Sequence, residues 1–276
     1  MKHDLHEFTG DLDLISAMDE LPFWSAPFGL RLLELVDYRQ GMNVLDIGFG
    51  LGFPLLELAM RLGNSTTVYG IDTWAAAVSR VKMKIRAWKI PNVHPIVAQA
   101  EAMPFPRDSF RLVVSNNGIN NVKDLEKTLG ECYRVLETDG QFVFTMNTDQ
   151  TSAEFYSTYR ETLYEMGLQQ YNGSLSMHIR KKRIPFLYLK SRVEEAGFEI
   201  HSVQEDSFAY RFASGTAMLS HSFMKLAFMP SWAKILPIEV RDEVFQRIEE
   251  KLNALAHLRK PLKMDVPFIA LECRKV

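Results

Sequence analysis

One short segment restricts the folds open to this chain more than any other part of its sequence. The apolar run at residues 42–47 leads into three glycines, Gly48, Gly50 and Gly52, and a helical pattern follows at once. A short apolar run that stops at glycines is typical of a buried strand, and glycine allows the positive φ angles of a tight turn. The segment therefore predicts a strand that turns directly into a helix.

The alternation of strand and helix patterns continues from residue 41 to residue 147. Further strand-like runs lie at residues 66–71, 93–97, 112–115 and 141–147. Between two of them, Val78, Val81, Ile85 and Trp88 recur at spacings of three and four, which predicts one apolar face of a helix. Strands that alternate with helices indicate a parallel sheet that is covered on both faces.

The pattern changes after residue 147, where helical stretches dominate. A basic run at residues 180–183 could bind a phosphate or a carboxylate, but such runs are more typical of a solvated surface. We divide the chain into five predicted segments: an N-terminal helical arm (1–40), a ligand-binding core (41–147), an insertion with a sixth strand (148–206), a helical lid insertion (207–265) and a last strand of the core sheet (266–276). The aromatic residues at 23–28 predict packing over the core or, alternatively, closure of a ligand site.

Composition excludes several classes of protein. The 276 residues contain 32 Lys and Arg against 34 Asp and Glu, so the basic excess of a general nucleic-acid binder is missing. Two cysteines, Cys132 and Cys273, are too few for a disulfide scaffold or a cysteine-rich metal cluster. The N-terminus lacks a signal-peptide pattern, and no apolar run approaches the ~20 residues that span a bilayer. We therefore expect a cytoplasmic protein with no metal, no membrane span and no nucleic-acid partner.

The spacing of the glycines indicates which class of ligand the loop can bind. A dinucleotide-binding turn, G-x-G-x-x-G, would place its third glycine at position 53, which is Phe53 in this chain. Asp46 also lies two positions before the first glycine, and a carboxylate suits a pyrophosphate poorly. Asp72 ends the second strand-like run, where it can accept hydrogen bonds from a ribose, cap the following helix, or do both. A tight turn that binds no ligand stays open as an alternative.

Taken in order, these motifs resemble those of the class I S-adenosylmethionine-dependent methyltransferases, in their small-molecule branch. The resemblance is carried by the D-x-G-x-G-x-G loop, by Asp72 and by the segments at 99–105, 110–115 and 134–141. It covers residues 40–147 well and residues 187–206 loosely. It implies an α/β fold with a doubly wound, mostly parallel seven-stranded sheet and helices on both faces. The last strand, at 266–275, would run antiparallel to the others.

The resemblance also implies a cofactor, S-adenosylmethionine, with S-adenosylhomocysteine as its product. The glycines would pass beneath the methionine portion, Asp46 would help to orient its amino group, and Asp72 would hold the ribose. The full set of residues implied at the cofactor is Asp46, Gly48, Phe49, Gly50, Gly52, Asp72, Thr73, Trp74, Gln99, Ala100, Glu101 and Asn116. Gln99 departs from the aspartate that is frequent there, which removes a charge but keeps an acceptor for the adenine amino group.

The residues that would meet the methyl acceptor carry a weaker signal. Asn117, Asn120 and Asn121 are predicted to bind a polar acceptor, with an Asn-Gly turn as the alternative. Two histidines, His221 and His178, are the candidate general bases, although a single histidine is more often a structural residue. Phe223 is predicted to line an apolar acceptor cavity beneath the lid.

We therefore predict a methyltransferase that acts on a small molecule by direct displacement, in which positioning supplies most of the catalysis. A non-catalytic regulatory protein that binds the same cofactor is the first alternative. A dinucleotide-dependent oxidoreductase is the second alternative, and the glycine spacing opposes it. The sequence leaves the acceptor, its reacting atom and the oligomeric state open.

Overall fold

The computed structural model describes residues 16, 19, 23–259 and 261–276. They form two compact units. The sheet unit comprises the described residues up to Asn147, with Pro185–Asp206 and Phe268–Val276. The helical unit comprises Thr148–Ile184 and Ser207–Pro267.

A seven-stranded sheet forms the centre of the sheet unit. Its strands are β1 (Asn43–Ile47), β2 (Thr67–Asp72), β3 (Val93–Val97), β4 (Phe110–Asn116), β5 (Leu136–Asn147), β6 (Phe198–Phe212) and β7 (Leu262–Lys275). Their order across the sheet is β3-β2-β1-β4-β5-β7-β6. Strands β1 to β5 pair in parallel, and β7 is antiparallel to β5, which confirms the predicted sheet. The strand order reverses between β1 and β4, the place where open α/β sheets bind their ligands.

The described residues also form ten α-helices. They are α1 (Ser25–Leu35), α2 (Leu55–Leu62), α3 (Ala75–Trp88), α4 (Leu125–Val135), α5 (Ala153–Glu165), α6 (Asn172–Lys182), α7 (Phe186–Glu195), α8 (Gly215–Ser220), α9 (Met229–Ala233) and α10 (Ile238–Arg259). Helices α1 to α4 and α7 belong to the sheet unit, and the others belong to the helical unit. No helix among the described residues is both long enough and apolar enough to cross a bilayer.

Hydrophobic burial fixes the helices against the sheet. Leu58 of α2 and Val81 of α3 are fully buried in one core cluster with Val44 of β1 and Val68 of β2. Helix α1 buries Phe28, whose ring lies 4.7 Å from the ring of Phe268 in β7. The predicted N-terminal helix therefore packs over the core, as the simpler interpretation of residues 23–28 expected.

The structure corrects three details of the sequence analysis. Trp88, expected on the buried face of α3, is 55% exposed because the helix ends at this residue. Strand β6 continues to Phe212, beyond the segment 148–206 in which a sixth strand was predicted and into the segment 207–265 that was predicted to be helical. The alternating aromatic residues Phe208, Tyr210 and Phe212 are a strand signal that explains the extension. Strand β7 begins at Leu262, four residues before the predicted start.

The helical unit has its own aromatic core. Trp232 is fully buried and stacks on Phe155 of α5, with ring centroids 3.9 Å apart. The hydroxyl of Tyr159 donates to the backbone oxygen of Trp232 at 3.2 Å. A π-helical turn, Met224–Phe228, precedes α9. Because aromatic side chains bury large apolar areas, this cluster gives the helical unit an apolar core.

Replacing the buried anchor of α1 is expected to weaken the fold. Phe28→Ala removes a fully buried ring and should lower the free energy of unfolding by about 3–5 kcal/mol. Leu30→Ala, on the same helix at a side chain that is 56% exposed, should change it by roughly 0.5 kcal/mol or less. Urea denaturation followed by circular dichroism measures both variants. Equal midpoints for the two variants would show that α1 does not anchor the sheet unit.

Candidate functional site

The glycine loop after β1 requires glycine at Gly52 and at Gly50 for two different reasons. All three glycines of the loop have positive φ angles, +74° at Gly48, +52° at Gly50 and +106° at Gly52. A Cβ on Gly52 would lie 3.0 Å from Leu56 and 3.1 Å from Val81, so this glycine permits close packing of α2 and α3. A Cβ on Gly50 would meet no atom within 4 Å. Gly50 therefore presents bare backbone at the position where a ligand can approach closely.

Asp72, at the end of β2, connects the two neighbouring loops. One carboxylate oxygen accepts the backbone N–H of Gly50 at 2.8 Å, and the other accepts the N–H of Trp74 at 2.8 Å. Trp74 directly precedes α3, so Asp72 makes the helix-entry contact that its position suggests. Each carboxylate oxygen can accept more than one hydrogen bond, so capacity for a ligand hydroxyl is left.

Asp46 is a second carboxyl group next to the loop, and it is fully buried in β1. Within the described residues, neither of its oxygens has a hydrogen-bond partner. Burial, followed by the negative charge of Asp72, raises the pKa of Asp46 well above its usual range. The backbone N–H of Leu55 opposes this shift, although it does not meet the geometry of a hydrogen bond to either oxygen. The negative charge of Asp72 repels an anion at this loop, whereas a cation or a hydrogen-bond donor would offset the charge that disfavours ionised Asp46.

Lys84 also touches the loop, and its charge is compensated. Its ammonium group donates to the backbone oxygen of Leu51 at 2.8 Å and forms an ion pair with Asp19. The Asp19 side chain is itself largely buried and also pairs with Arg80 at 2.7 Å. The cations described near the loop are therefore held by Asp19, and the acidic character of the loop persists.

At the end of β4, Asn116 joins the sheet to α1. Its Nδ2 donates to the backbone oxygen of Ser25 at 3.0 Å, and its Oδ1 accepts the hydroxyl of Thr145 at 3.0 Å. Asn116 is predicted at the cofactor, and the structure does place it at the reversal of strand order beside β1. The start of α1 therefore lies at this end of the sheet in addition to packing on the core.

The asparagines that follow form a turn. Asn117 has a φ of +56°, in the left-handed region that the turn interpretation requires. The Nδ2 of Asn120 donates to the Oδ1 atoms of Asn117 and Asn147, and Asn121 donates to the backbone oxygen of Asn117 at 3.4 Å. Within the described part of the chain, the buried Oδ1 of Asn120 has no partner. The structure thus brings Asn117 and Asn120 together with Asn147, which the sequence analysis did not identify.

Sequence reasoning also missed the role of Gly118. A Cβ there would lie 2.6 Å from the backbone oxygen of Ile47 and 2.6 Å from the Ser115 hydroxyl. The Ser115 hydroxyl donates to that same Ile47 oxygen at 2.9 Å. Gly118 is thus the residue that lets the loop after β4 pass against the end of β1. The only sequence signal for this approach is a glycine in a run of asparagines.

The predicted segment at 99–101 lies near the end of β2. The N–H of Ala98 donates to the backbone oxygen of Asp72 at 3.1 Å. Ala100 is buried and the Gln99 side chain is exposed. A carboxylate oxygen of Glu101 accepts the N–H of Lys123 at 2.6 Å, which ties this segment to the loop before α4. Of the other cofactor candidates, Phe49 is buried, Thr73 is exposed and Trp74 is half-buried.

The candidate acceptor residues of the helical unit lie in two clusters. His178 contacts the hydroxyl of Tyr156 through Nε2 at 3.3 Å. His221 lies beside the ring of Tyr210, at 6.4 Å between ring centroids, and its Nδ1 is buried with no partner among the described residues. Phe223 stacks with the same Tyr210 at 6.3 Å. His221 and Phe223 therefore belong together, and His178 belongs to a different group of side chains.

The raised pKa of Asp46 has a testable consequence for stability. A buried acid whose pKa is higher in the folded state keeps its proton there, so the fold loses stability as pH rises from about 4 towards that raised value. Asp46→Asn mimics the neutral acid and should remove this loss, so its stability relative to the natural protein should increase with pH.

Urea denaturation at several pH values measures this effect, with Asp139→Asn at an exposed residue of β5 as the control. The control should follow the natural protein at every pH to within roughly 0.5 kcal/mol. A constant difference between Asp46→Asn and the natural protein over the whole range would mean that Asp46 titrates normally.

Comparison with known proteins identifies the region that carries the site. Residues 45–144 match a family described as "Methyltransferase domain". The ubiquinone/menaquinone biosynthesis C-methyltransferase UbiE of Geotalea daltonii is 35% identical over 112 residues, 40% of this chain and 48% of the relative. The aklanonic acid methyltransferase DauC of a Streptomyces species is 29% identical over 119 residues, 43% of this chain and 54% of the relative. The chain thus spans about half the length of these curated relatives.

Solved structures share the fold over most of the chain. A putative methyltransferase from Bacillus halodurans superposes with a TM-score of 0.61 at 16% identity, covering 90% of this chain and 98% of that one. At this level of identity the similarity concerns the fold alone. It agrees with the seven-stranded sheet, and the matched family covers the strands and loops that build the site.

Proposed function

We propose that this protein, whose residues 45–144 are a methyltransferase domain of the class I fold, transfers a methyl group from S-adenosylmethionine to a small-molecule acceptor. One observation carries the proposal. The bare backbone of Gly50 is held by Asp72 beside the second carboxyl group, Asp46, at the reversal of strand order. This arrangement suits a ligand that is cationic and rich in hydrogen-bond donors.

The chemistry of the site discriminates between the candidate ligands. S-adenosylmethionine has a sulfonium, an ammonium group and two ribose hydroxyls, and the loop offers acceptors in Asp46, Asp72 and Asn120. The two oxygens of Asp46 and the Oδ1 of Asn120 are buried acceptors without partners among the described residues, and a donor there would remove the penalty of leaving them unpaired. A pyrophosphate would face the negative charge of Asp72, which opposes a dinucleotide cofactor.

The resemblance implies roles for individual residues, and the geometry supports them. Gly48, Gly50 and Gly52 would lie beneath the methionine portion, and Asp72 would accept from the ribose with the lone pairs that its two backbone donors leave free. Asn116 would contribute at the end of β4, where its side chain is already fixed by Ser25 and Thr145. The adenine would lie near Gln99, Ala100 and Glu101, since this segment adjoins the end of β2.

When bound, S-adenosylmethionine supplies a methyl group on a positively charged sulfur, which needs no acid to leave. The protein therefore has to bind both reactants in line and exclude water, and such positioning can contribute several kcal/mol. A base is needed only where the acceptor atom carries a proton. His221, with Phe223 beside it, is the first candidate for that role and His178 the second; Asn117, Asn120 and Asn121 remain candidates for polar contacts to the acceptor.

The relatives narrow the class of acceptor. Their names describe methyl transfer in ubiquinone and menaquinone biosynthesis and on aklanonic acid. A small organic acceptor is thus the best-supported choice for this chain, and neither relative favours a non-catalytic regulator. Radiolabelled S-adenosylmethionine incubated with a metabolite extract tests the proposal directly. Label in a small molecule supports it, whereas tight binding without any transfer would favour the regulatory alternative.

Gly50→Val should weaken binding of S-adenosylmethionine, because a branched side chain would fill the space in which the ligand approaches the backbone of residue 50. We expect affinity to fall by about tenfold or more, which corresponds to at least ~1.4 kcal/mol. Isothermal titration calorimetry on the folded variant measures it.

Gly41→Val is a matched control for this prediction. Gly41 also has a positive φ, +72°, and a Cβ there would likewise meet no atom within 4 Å, but it precedes β1 and lies away from the loop. Both variants carry similar backbone strain, and only Gly50→Val should lose the ligand. Unchanged affinity in a folded Gly50→Val protein would move the binding site elsewhere.

Asp72→Ala should weaken S-adenosylmethionine binding by roughly 1.5–3 kcal/mol, the range for hydrogen bonds to a charged group. The variant also loses the acceptor for Gly50 and Trp74, so its stability has to be measured beside its affinity. Asp72→Asn keeps one acceptor oxygen and should lose less affinity. A fall in stability with affinity intact would assign Asp72 to the loop structure alone.

A further inference from the structure

The basic run at residues 180–183 does not behave as a uniform surface. Arg180 and Lys181 are exposed, whereas Arg183 is only 3% exposed. Helix α6 ends at Lys182, and Arg183 follows in an extended conformation, with φ at −142°, that turns away from the helical path. Its backbone N–H still donates to the oxygen of Ile179 at 2.9 Å. The end of the helix therefore directs this arginine into the interior of the helical unit.

Inside, Arg183 meets neutral aromatic side chains. Its Nη1 donates to the hydroxyl of Tyr156 at 3.0 Å, and the guanidinium lies 5.0 Å from the centroid of the Tyr156 ring. The indole N–H of Trp232 donates to the same hydroxyl at 3.0 Å, and His178 contacts it at 3.3 Å. The Tyr156 oxygen is thus shared by several partners, and it cannot balance the charge of Arg183.

Among the described residues, the rest of the guanidinium lacks acceptors. There, Nε is buried without a hydrogen-bond partner, no acceptor is bonded to Nη2, and no carboxylate pairs with Arg183. Buried arginines are normally paired with an anion, because desolvating an isolated charge is expensive. Nε and Nη2 together form the edge of the guanidinium that binds two oxygens of a planar anion side by side.

We propose that Arg183 is the anion-binding residue of a ligand site in the helical unit, and that its ligand is a small organic carboxylate with an aromatic or apolar body. One guanidinium edge matches the single charge and the planar shape of a carboxylate. The neutral ring of Tyr156 beside it, with Trp232 bonded to the same hydroxyl, favours an apolar body over a bare inorganic anion. The proposal depends on contacts within the helical unit alone and holds whether or not the protein transfers methyl groups.

Benzoate is the probe, and isothermal titration calorimetry on the full chain is the measurement. We expect saturable binding of benzoate, with no detectable binding of benzyl alcohol, its neutral counterpart, or of inorganic phosphate. Equal binding of benzyl alcohol would show that the charge is not recognised. Binding of phosphate without benzoate would overturn the carboxylate class, and absence of benzoate binding would overturn the site.

Variants of the basic run assign the binding to one residue. Arg183→Met should lower benzoate affinity at least tenfold, and Arg180→Met, the exposed arginine of the same run, should leave it unchanged. Arg183→Lys keeps the buried charge and loses the two-pronged edge, so it should show a similar loss in a folded protein if Arg183→Met does not fold. Full benzoate affinity in either folded Arg183 variant would contradict the proposal. Binding of S-adenosylmethionine, measured in parallel, should be unchanged and reports separately on the sheet unit.

Discussion

Two hydrogen bonds to one carboxylate hold together the loops on which the candidate site depends. Asp72 accepts the N–H of Gly50 with one oxygen and the N–H of Trp74 with the other. The pairing of β1 with β2 makes this possible, since parallel neighbours end at the same edge of the sheet. The carboxylate therefore fixes the glycine loop after β1 and the entry to α3 at once, and it does so before any ligand arrives.

A second carboxyl group gives this loop its electrostatic character. Asp46 is buried in the strand directly beside β2, and the negative charge of Asp72 adds to the burial that raises the pKa of Asp46. A nearby cation would reverse both effects, because it favours the ionised form of each acid. The negative charge of Asp72 would repel phosphate groups. The charge of the site and the spacing of the glycines therefore both oppose a dinucleotide cofactor. The two arguments rest on different residues.

The sequence predicts the sheet unit well and the helical unit poorly, for physical reasons. Strands and helices of the core follow from periodic burial, and the glycine loop follows from its position between them. The contact of Asn116 with Ser25 could not be predicted, because it joins residues distant in sequence through a backbone oxygen. Gly118 gives only a weak signal, since its role depends on the approach of two loops. Arg183 was expected at the surface, and the end of α6 reverses that expectation.

The chemistry proposed for the protein explains why the sheet unit is easier to predict from sequence than the helical unit. A ligand bound by loops at the end of a parallel sheet requires particular residues at particular positions, so Asp72 and the glycines leave a pattern that sequence reasoning can recognise. Methyl transfer that depends on positioning requires no fixed set of acids or bases around the acceptor. The residues that determine acceptor specificity can then differ from one protein to the next, because proteins that share a scaffold usually differ in function. The aromatic core around Trp232 and the buried Arg183 are consequently visible only in the folded structure.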